Sequence, residues 1–167
     1  KSPHIAVVLM IEPDHLDVHA DFAEYLAAKA HITAEQLTTD RVVYNADNSY
    51  ATEIAAATVG QRLPYPTERT AHVRGQYFYY QDTELCEIRQ LRLAGKHNCE
   101  NACAAITAVW PWVQDPSVIA EGLRGFDGLP HRLKFVAEKN DVRFYDDSIS
   151  TTPGSAIAAV RSLDQPN

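Results

Sequence analysis

Ile5 to Ile11 is an unbroken apolar run rich in β-branched residues. A strand that is apolar on both faces belongs inside a parallel sheet, covered on both sides. Such a strand needs neighbours on either edge, so the pattern predicts a chain that begins within a domain. Glu12 to His19 is polar and contains Pro13, which predicts a loop at the strand's carboxyl end. From Asp21 to Ile32, Phe22, Tyr25, Leu26, Lys29 and Ile32 recur at helical spacing, with Asp21 placed as a cap. Arg41 to Tyr44 predicts a short strand, Asn45-Ala46-Asp47-Asn48 a turn, and Ser49 to Ala57 a helix. The β-loop-α-β-turn-α rhythm is that of a wound α/β sheet.

The pattern then changes. Thr70 to Leu93 mixes Tyr, Phe, Val and Ile with polar residues, which predicts two or three short strands: around His72, over Tyr77 to Tyr80, and over Glu87 to Leu93. Asn98 to Trp110 is a predicted helix whose small residues Ala102, Ala104, Ala105 and Ala108 allow close packing. Pro116 to Gly122 predicts a second, shorter helix. Gly125 to Pro130 has the composition of a domain junction. Beyond it, Leu133 to Glu138 and Val142 to Tyr145 flank Lys139-Asn140-Asp141 as a hairpin, and Pro153 suits the first turn of a last helix running to about Leu163. One hairpin and one helix are too little for an independent α/β domain, so the carboxyl end is expected to be cut as well. Internal repeats and low-complexity segments are absent from the sequence.

The 167 residues fit one domain and part of a second, at about 100–200 residues per domain. Hydrophobic residues make up 46%, enough for a core. The formal charge of −7 argues against nucleic acid or an anionic membrane as partner, so any anionic ligand must be met by local cations. The three cysteines, Cys86, Cys99 and Cys103, form no disulfide framework. Cys99 and Cys103 lie one helical turn apart and suit small core residues. A zinc site of Cys99, Cys103 and His97 is the alternative. The cysteine usage predicts a reduced, cytoplasmic protein. No apolar run approaches the roughly 20 residues of a membrane span. The run ending at Met10 is too short for a signal segment, and Glu12, Asp14 and His15 follow it in place of a cleavage site.

Two clusters offer chemistry. Asp14, His15 and Asp17 follow the first strand, and Lys29 lies in the helix after them. Ligand sites of wound sheets lie at strand carboxyl ends, and carboxylate with imidazole suits a divalent cation. A Lys among apolar neighbours is costly when charged, and a neutral amine can react, for example with CO2. The plainer alternative is a solvated loop and a Lys whose stem lies along apolar surface. The second cluster is Gly95-Lys96-His97-Asn98, Pro130-His131-Arg132 and Asp146-Asp147-Ser148. A helix start favours an anion, Arg132 can grip phosphate with two N–H groups, and Asp147 can accept from ribose hydroxyls. The plainer alternative here is a helix cap, a surface Arg and a turn.

Together these residues resemble the Mur ligases, and most closely the branch that adds D-glutamate to UDP-MurNAc-L-alanine. The matching stretches are Pro13-Asp14-His15-Leu16-Asp17, Tyr25-Leu26-Ala27-Ala28-Lys29, Asn45-Ala46-Asp47, Gly95-Lys96-His97-Asn98-Cys99-Glu100-Asn101, Gly128-Leu129-Pro130-His131-Arg132 and Asp147-Ser148 with Thr151-Thr152. They span most of the chain in family order. The resemblance implies a partial central ATPase domain at residues 1–128, with a wound, mostly parallel sheet and a small antiparallel part. It implies the first β and βα elements of a Rossmann-like C-terminal domain at 129–167. It implies ATP and Mg2+ as cofactors. His15 matches a magnesium-binding histidine and Lys29 a carbamylated lysine, the two catalytic positions. Asn98 matches a contact to the ATP base, Arg132 to the phosphates and Asp147 to the ribose, with His131 beside them. The substrates implied are UDP-MurNAc-L-alanine and glutamate, joined through an acyl phosphate by a cytoplasmic enzyme that is a monomer in full-length form.

Two departures matter. No Gly-x-x-Gly-Lys-Thr/Ser phosphate loop occurs in the 167 residues, so they are expected to be inactive alone. Ile149 stands where the D-glutamate branch usually has Lys. That leaves a ligase adding L-glutamate or another residue, and a non-catalytic module on the same scaffold, as alternatives. A folylpolyglutamate synthase relative shares the central domain but fits Gly128-Leu129-Pro130-His131-Arg132 less well.

Overall fold

In a computed structural model of the chain, the residues described are 1–14, 16–93, 95–151 and 153–163. A parallel sheet in the order β1 (Ile5–Val8), β2 (Arg41–Asn45), β3 (Gln61–Tyr65) forms the body. Ile5 pairs with Arg41, and Arg41 with Gln61. The crossovers are α1 (Phe22–Ala34) and α2 (Ser49–Ala56), which pack against each other on one face of the sheet. On the other face lies α3 (Lys96–Val109). An antiparallel sheet of β4 (Ala71–Arg74), β5 (Tyr77–Tyr80) and β6 (Thr83–Glu87) packs against α3 and against α4 (Pro116–Gly125). The chain then forms the hairpin β7 (Lys134–Lys139) and β8 (Val142–Asp146), followed by α5 (Pro153–Leu163).

Local chemistry explains these elements. Asp21 Oδ1 accepts from Glu24 N–H at 2.9 Å, and Glu24 Oε2 reaches back to Ala20 N–H at 2.6 Å. Asn48 Oδ1 caps α2 through Ala51 N–H at 2.9 Å, while its Nδ2 donates to Ile11 O at 3.0 Å. That one side chain ties the start of α2 to the chain leaving β1. Asp115 caps α4, with Pro116 in the first turn, where its missing N–H costs nothing. Asn140 and Asp141 both take positive φ, 52° and 62°, the conformation a two-residue hairpin turn demands.

Alternation along β2 divides the core. Val42, 0% exposed, joins Tyr25, Ile54 and Val8 under α1 and α2. Val43, also 0% exposed, joins Tyr65, Phe78, Cys103 and Ile106 under α3. Successive strand residues point to opposite faces, so a central strand of a covered sheet feeds two cores at once.

Several expectations change. The first strand ends at Val8, and its burial is one-sided: Ala6 and Val8 are buried, while Val7, Leu9 and Met10 are exposed. Among the described residues β1 pairs with β2 alone, so its other edge is unpaired there, while Ile5 packs toward the core under α3. Gln61 to Tyr65 was not predicted as a strand. It is polar at its start and holds Pro64, tolerated because β3 pairs on one side only among the described residues. The third antiparallel strand is Thr83–Glu87, earlier than the predicted Glu87 to Leu93. Gln81, at φ 53°, turns the chain tightly after β5 and so sets the register, and Ile88–Gln90 coils into a 3-10 turn. α4 runs three residues past its predicted end at Gly122. Among the described residues no helix is long and apolar enough to cross a membrane.

Candidate functional site

The three parallel strands end at one edge, and the predicted site residues follow them or face them. His15 lies outside the described residues. Lys29 lies on α1, but not among apolar neighbours as expected: it is exposed, with Nζ 4.7 Å from the centroid of the Tyr25 ring. The helical spacing is as predicted, but the inward stripe is Phe22, Tyr25, Leu26, Ala30 and Thr33, while Lys29 and Ile32 sit at its rim. A cation over an aromatic face one turn away is a surface arrangement worth about 0.5–1 kcal/mol. Among the described residues no three His, Cys, Asp or Glu side chains come together as a metal centre. An unmodified Lys29 does not supply one. The described residues therefore do not fit a Mg2+ ion as they stand.

The second cluster does assemble. Gly95 precedes α3 at φ 98°, and a Cβ there would lie 2.6 Å from Ser162 Cβ. Glycine is thus required both by the backbone and by the approach of α5. His97 is half-buried in the first turn of α3. Burial, then the nearby Arg132 guanidinium, hold its imidazole below the usual histidine range, while Glu100 and Asp147 pull it the other way. His97 is therefore neutral at pH 7, and it marks where α3, Arg132 and Asp147 meet. Asn98 is half-buried beside it.

The Arg132 loop is stitched to the end of β8. Gly128 takes φ 83°, and a Cβ on it would lie 2.8 Å from Leu93 Cδ2. His131 and Leu133, on either side of Arg132, both take positive φ, 64° and 46°. His131 Nδ1 donates to Asp146 Oδ2 at 2.7 Å, and Ile149 N–H donates to His131 O at 3.2 Å. Leu133 N–H donates to Asp147 Oδ1 at 2.9 Å, and Ser150 Oγ–H donates to Asp147 Oδ2 at 2.6 Å. Asp146 also accepts from the Ser148 hydroxyl at 2.8 Å and from its N–H at 3.1 Å. These two Ser148 bonds, followed by His131, hold the Asp146 carboxyl below the usual carboxylate range.

Arg132 is exposed and makes no ion pair among the described residues, and Asp147 is half-buried. Among the described residues each Asp147 oxygen accepts one hydrogen bond, and a second lone pair on each could meet a ligand hydroxyl. A helix start, a guanidinium, a carboxylate and an amide side chain on one surface suit a nucleotide. His131, Arg132 and Asp147 are thus brought together, His97 of α3 lies close enough to feel the charges of Arg132 and Asp147, Asn98 follows it on α3, and Lys29 stands on a separate element. The sequence named Asp146 only as part of a motif, and His97 as part of a motif and as a candidate zinc ligand, neither with a role at a nucleotide. Their signal was adjacency: each is next to a residue that had one.

A second recess of about 680 Å3 lies against the opposite side of α3 from Asn98, lined by Asp47, Glu68, His72, Arg74, Lys96 and Glu100 among others. In its wall His72 is buried with Nε2 unpartnered among the described residues. Cys103, at its base, has its thiol pushed up to about 12 by burial, with Cys99 and Glu100 adding to the shift.

The arrangement is that of a wound α/β domain whose ligand face adjoins the strand carboxyl ends. The Mur ligase middle domain family matches residues 1–109. UDP-N-acetylmuramoylalanine–D-glutamate ligase of Clostridium tetani is 33% identical over 174 aligned residues, covering 99% of this chain and 37% of that protein. The protein of that name from Streptococcus thermophilus is 37% identical over 165 residues, covering 97% of this chain and 37% of its own. The chain thus spans a little over a third of the length of these curated relatives. Among solved structures, UDP-N-acetylmuramoylalanyl-D-glutamyl-2,6-diaminopimelate–D-alanyl-D-alanyl ligase from Acinetobacter baumannii superposes with a TM-score of 0.79 at 24% identity, over 99% of this chain and 38% of that one. Folylpolyglutamate synthetase from Lactobacillus casei gives 0.62 at 21% identity, over 98% of this chain and 44% of that one. The chain belongs to the Mur ligase family.

Proposed function

We propose that the gene product carrying this chain is an ATP-dependent ligase of peptidoglycan-precursor synthesis that adds glutamate to UDP-MurNAc-L-alanine in the cytoplasm. The observation that supports this best is the identity to D-glutamate ligases along nearly the whole chain, Arg132 loop included. In this proposal residues 1–128 belong to the central ATP-binding domain and 129–167 open the C-terminal domain. Asn98 meets the base of ATP with its amide, Asp147 accepts from the ribose, and Arg132 faces the phosphates, with His131 at its side. A substrate carboxylate oxygen attacks the γ-phosphorus and the bond to ADP breaks. The amine nitrogen of glutamate then attacks the acyl carbon, the bond to phosphate breaks, and the amine loses a proton. Arg132 suits the first step because its planar N–H pair matches the oxygens on which charge is spread. Attack of the neutral Lys29 amine on CO2, with release of a proton, would leave a carbamate anion; that carbamate and His15 would then hold a Mg2+ ion, which would supply charge neutralisation.

The test is ligation by the full-length gene product with UDP-MurNAc-L-alanine, ATP and either D- or L-glutamate. Amide product and ADP with D-glutamate are expected. Product with L-glutamate alone would move the chain to another branch, an alternative that Ile149 leaves open. No turnover with either, together with no binding of ATP, would leave the non-catalytic module. Arg132→Ala is expected to weaken ATP binding by about 10–100-fold, the range for a charged hydrogen-bonding partner. Residues 1–167 alone are expected to show no ligation.

A further inference from the structure

We propose that Asp146 is a positioning residue of the nucleotide site, acting through His131 to aim Arg132. This rests on Arg132 being a ligand of ATP phosphate. Arg132 stands between two residues in left-handed backbone, His131 at φ 64° and Leu133 at φ 46°. L residues with side chains adopt that conformation only when the surroundings impose it. Two adjacent carboxylates impose it here. Asp147 holds the Leu133 N–H at 2.9 Å, and Asp146 holds the His131 imidazole at 2.7 Å. The His131 carbonyl is held in turn by Ile149 N–H at 3.2 Å.

The division of labour follows from geometry. Asp147 is half-buried beside α3 and can touch a ligand. Asp146 has one oxygen on His131 and the other on both donors of Ser148. Its oxygens are engaged within the loop, so it works on the site from behind. A carboxylate has no hydrogen to donate, so His131 Nδ1 carries the proton of this bond. Asp146 therefore fixes two things: the ring direction, and the backbone turn from which the Arg132 side chain departs. It acts from the end of β8, the strand that a tight turn joins to β7.

The experiment is equilibrium binding of Mg·ATP to the full-length gene product, with unfolding temperature and the side-chain NMR signal of Arg132 recorded in parallel. Asp146→Ala is expected to weaken binding about tenfold, the range for losing a charged hydrogen bond. Asp146→Asn keeps an acceptor toward His131 and is expected to restore most of the affinity. In the double variant Asp146→Ala with His131→Ala, the loss is expected to match that of His131→Ala alone, because both act along one path. The Arg132 signal is expected to shift in Asp146→Ala before any nucleotide is added. Wild-type affinity in Asp146→Ala overturns the proposal, and so does full additivity with His131→Ala. If Asp146→Ala does not fold, Asp146→Asn decides: a loss as large as that of His131→Ala, in a folded protein, overturns it. Unchanged binding in Arg132→Ala would instead overturn the nucleotide reading itself.

Discussion

The parallel body and the C-terminal hairpin are held together by different forces. In β2 three of five residues are buried, and the two central valines feed two separate cores. In β7 all six residues are exposed, and the described part of α5 buries only Ser162. The hairpin is instead specified by a left-handed Asn140-Asp141 turn, a His–Asp pair and the hydrogen bonds around Asp146 and Asp147. Burial gives a body that unfolds as a unit. In residues 1–167 such an exposed hairpin opens at lower free energy than the body. The candidate site straddles the two, with Asn98 on the buried side and Arg132 and Asp147 on the polar side.

The largest test of that contrast is paired truncation. Phe78, 0% exposed, and Phe144, 50% exposed, are both strand phenylalanines. Phe78→Ala is expected to cost about 3–5 kcal/mol in urea unfolding. Phe144→Ala is expected to stay within about 0.5 kcal/mol, as for other surface changes. Equal losses would erase the distinction. Next, Gly95→Ala forces a side chain into a left-handed residue that touches α5, where conformation alone costs about 1–2 kcal/mol. Its damage should appear in hydrogen exchange of α5 and of the first turn of α3 while β2 stays protected. Uniform loss of protection would show the two regions to be one cooperative unit.

A smaller effect separates two similar pairs by pH. His4 and Asp40 meet at 2.7 Å in the body, as His131 and Asp146 do in the hairpin. The Leu37 N–H, followed by the His4 ring, holds the Asp40 carboxyl below its ordinary value of 3.8. A depressed folded-state pKa adds stability that is full above the ordinary value and lost as pH falls through the folded one. Asp40→Asn should therefore lower the unfolding temperature at pH 7, and the difference from wild type should shrink on acidification below that ordinary value. For Asp146→Asn the same change should leave the body's transition in place. The smallest effect is in the turn. Asp141→Gly relieves a positive φ and should stabilise the hairpin by about 0.5 kcal/mol, seen as slower exchange in β7 and β8 alone.

Helices and central strands were legible because caps and periodicity act locally: Asp21, Asn48 and Pro116 stand where the sequence places them. β3 was hidden because its strand character comes from pairing with β2, and Gln61, Arg62 and Pro64 carry no apolar alternation. The shift of β6 came from the turn at Gln81, whose left-handed backbone no residue preference announces. For the site, the motifs named Asn98, Arg132 and Asp147, and the fold brings their elements together. Of the two settings the sequence allowed for Lys29, the fold shows the plainer one, a side chain at the rim of the apolar face over Tyr25. Asp146 was invisible as a functional group because its effect passes through the backbone of another residue.

The two left-handed residues around Arg132 have a further consequence. Their strain would be released if the hairpin detached, and Arg132 would then lose the direction the loop gives it. A molecule gripping Arg132 and Asn98 together would act as a clasp across the junction. By mass action it would slow hydrogen exchange in β7 and β8 in proportion to its own occupancy. The hairpin's breathing is then a built-in gauge of how full the site is, readable without following any reaction.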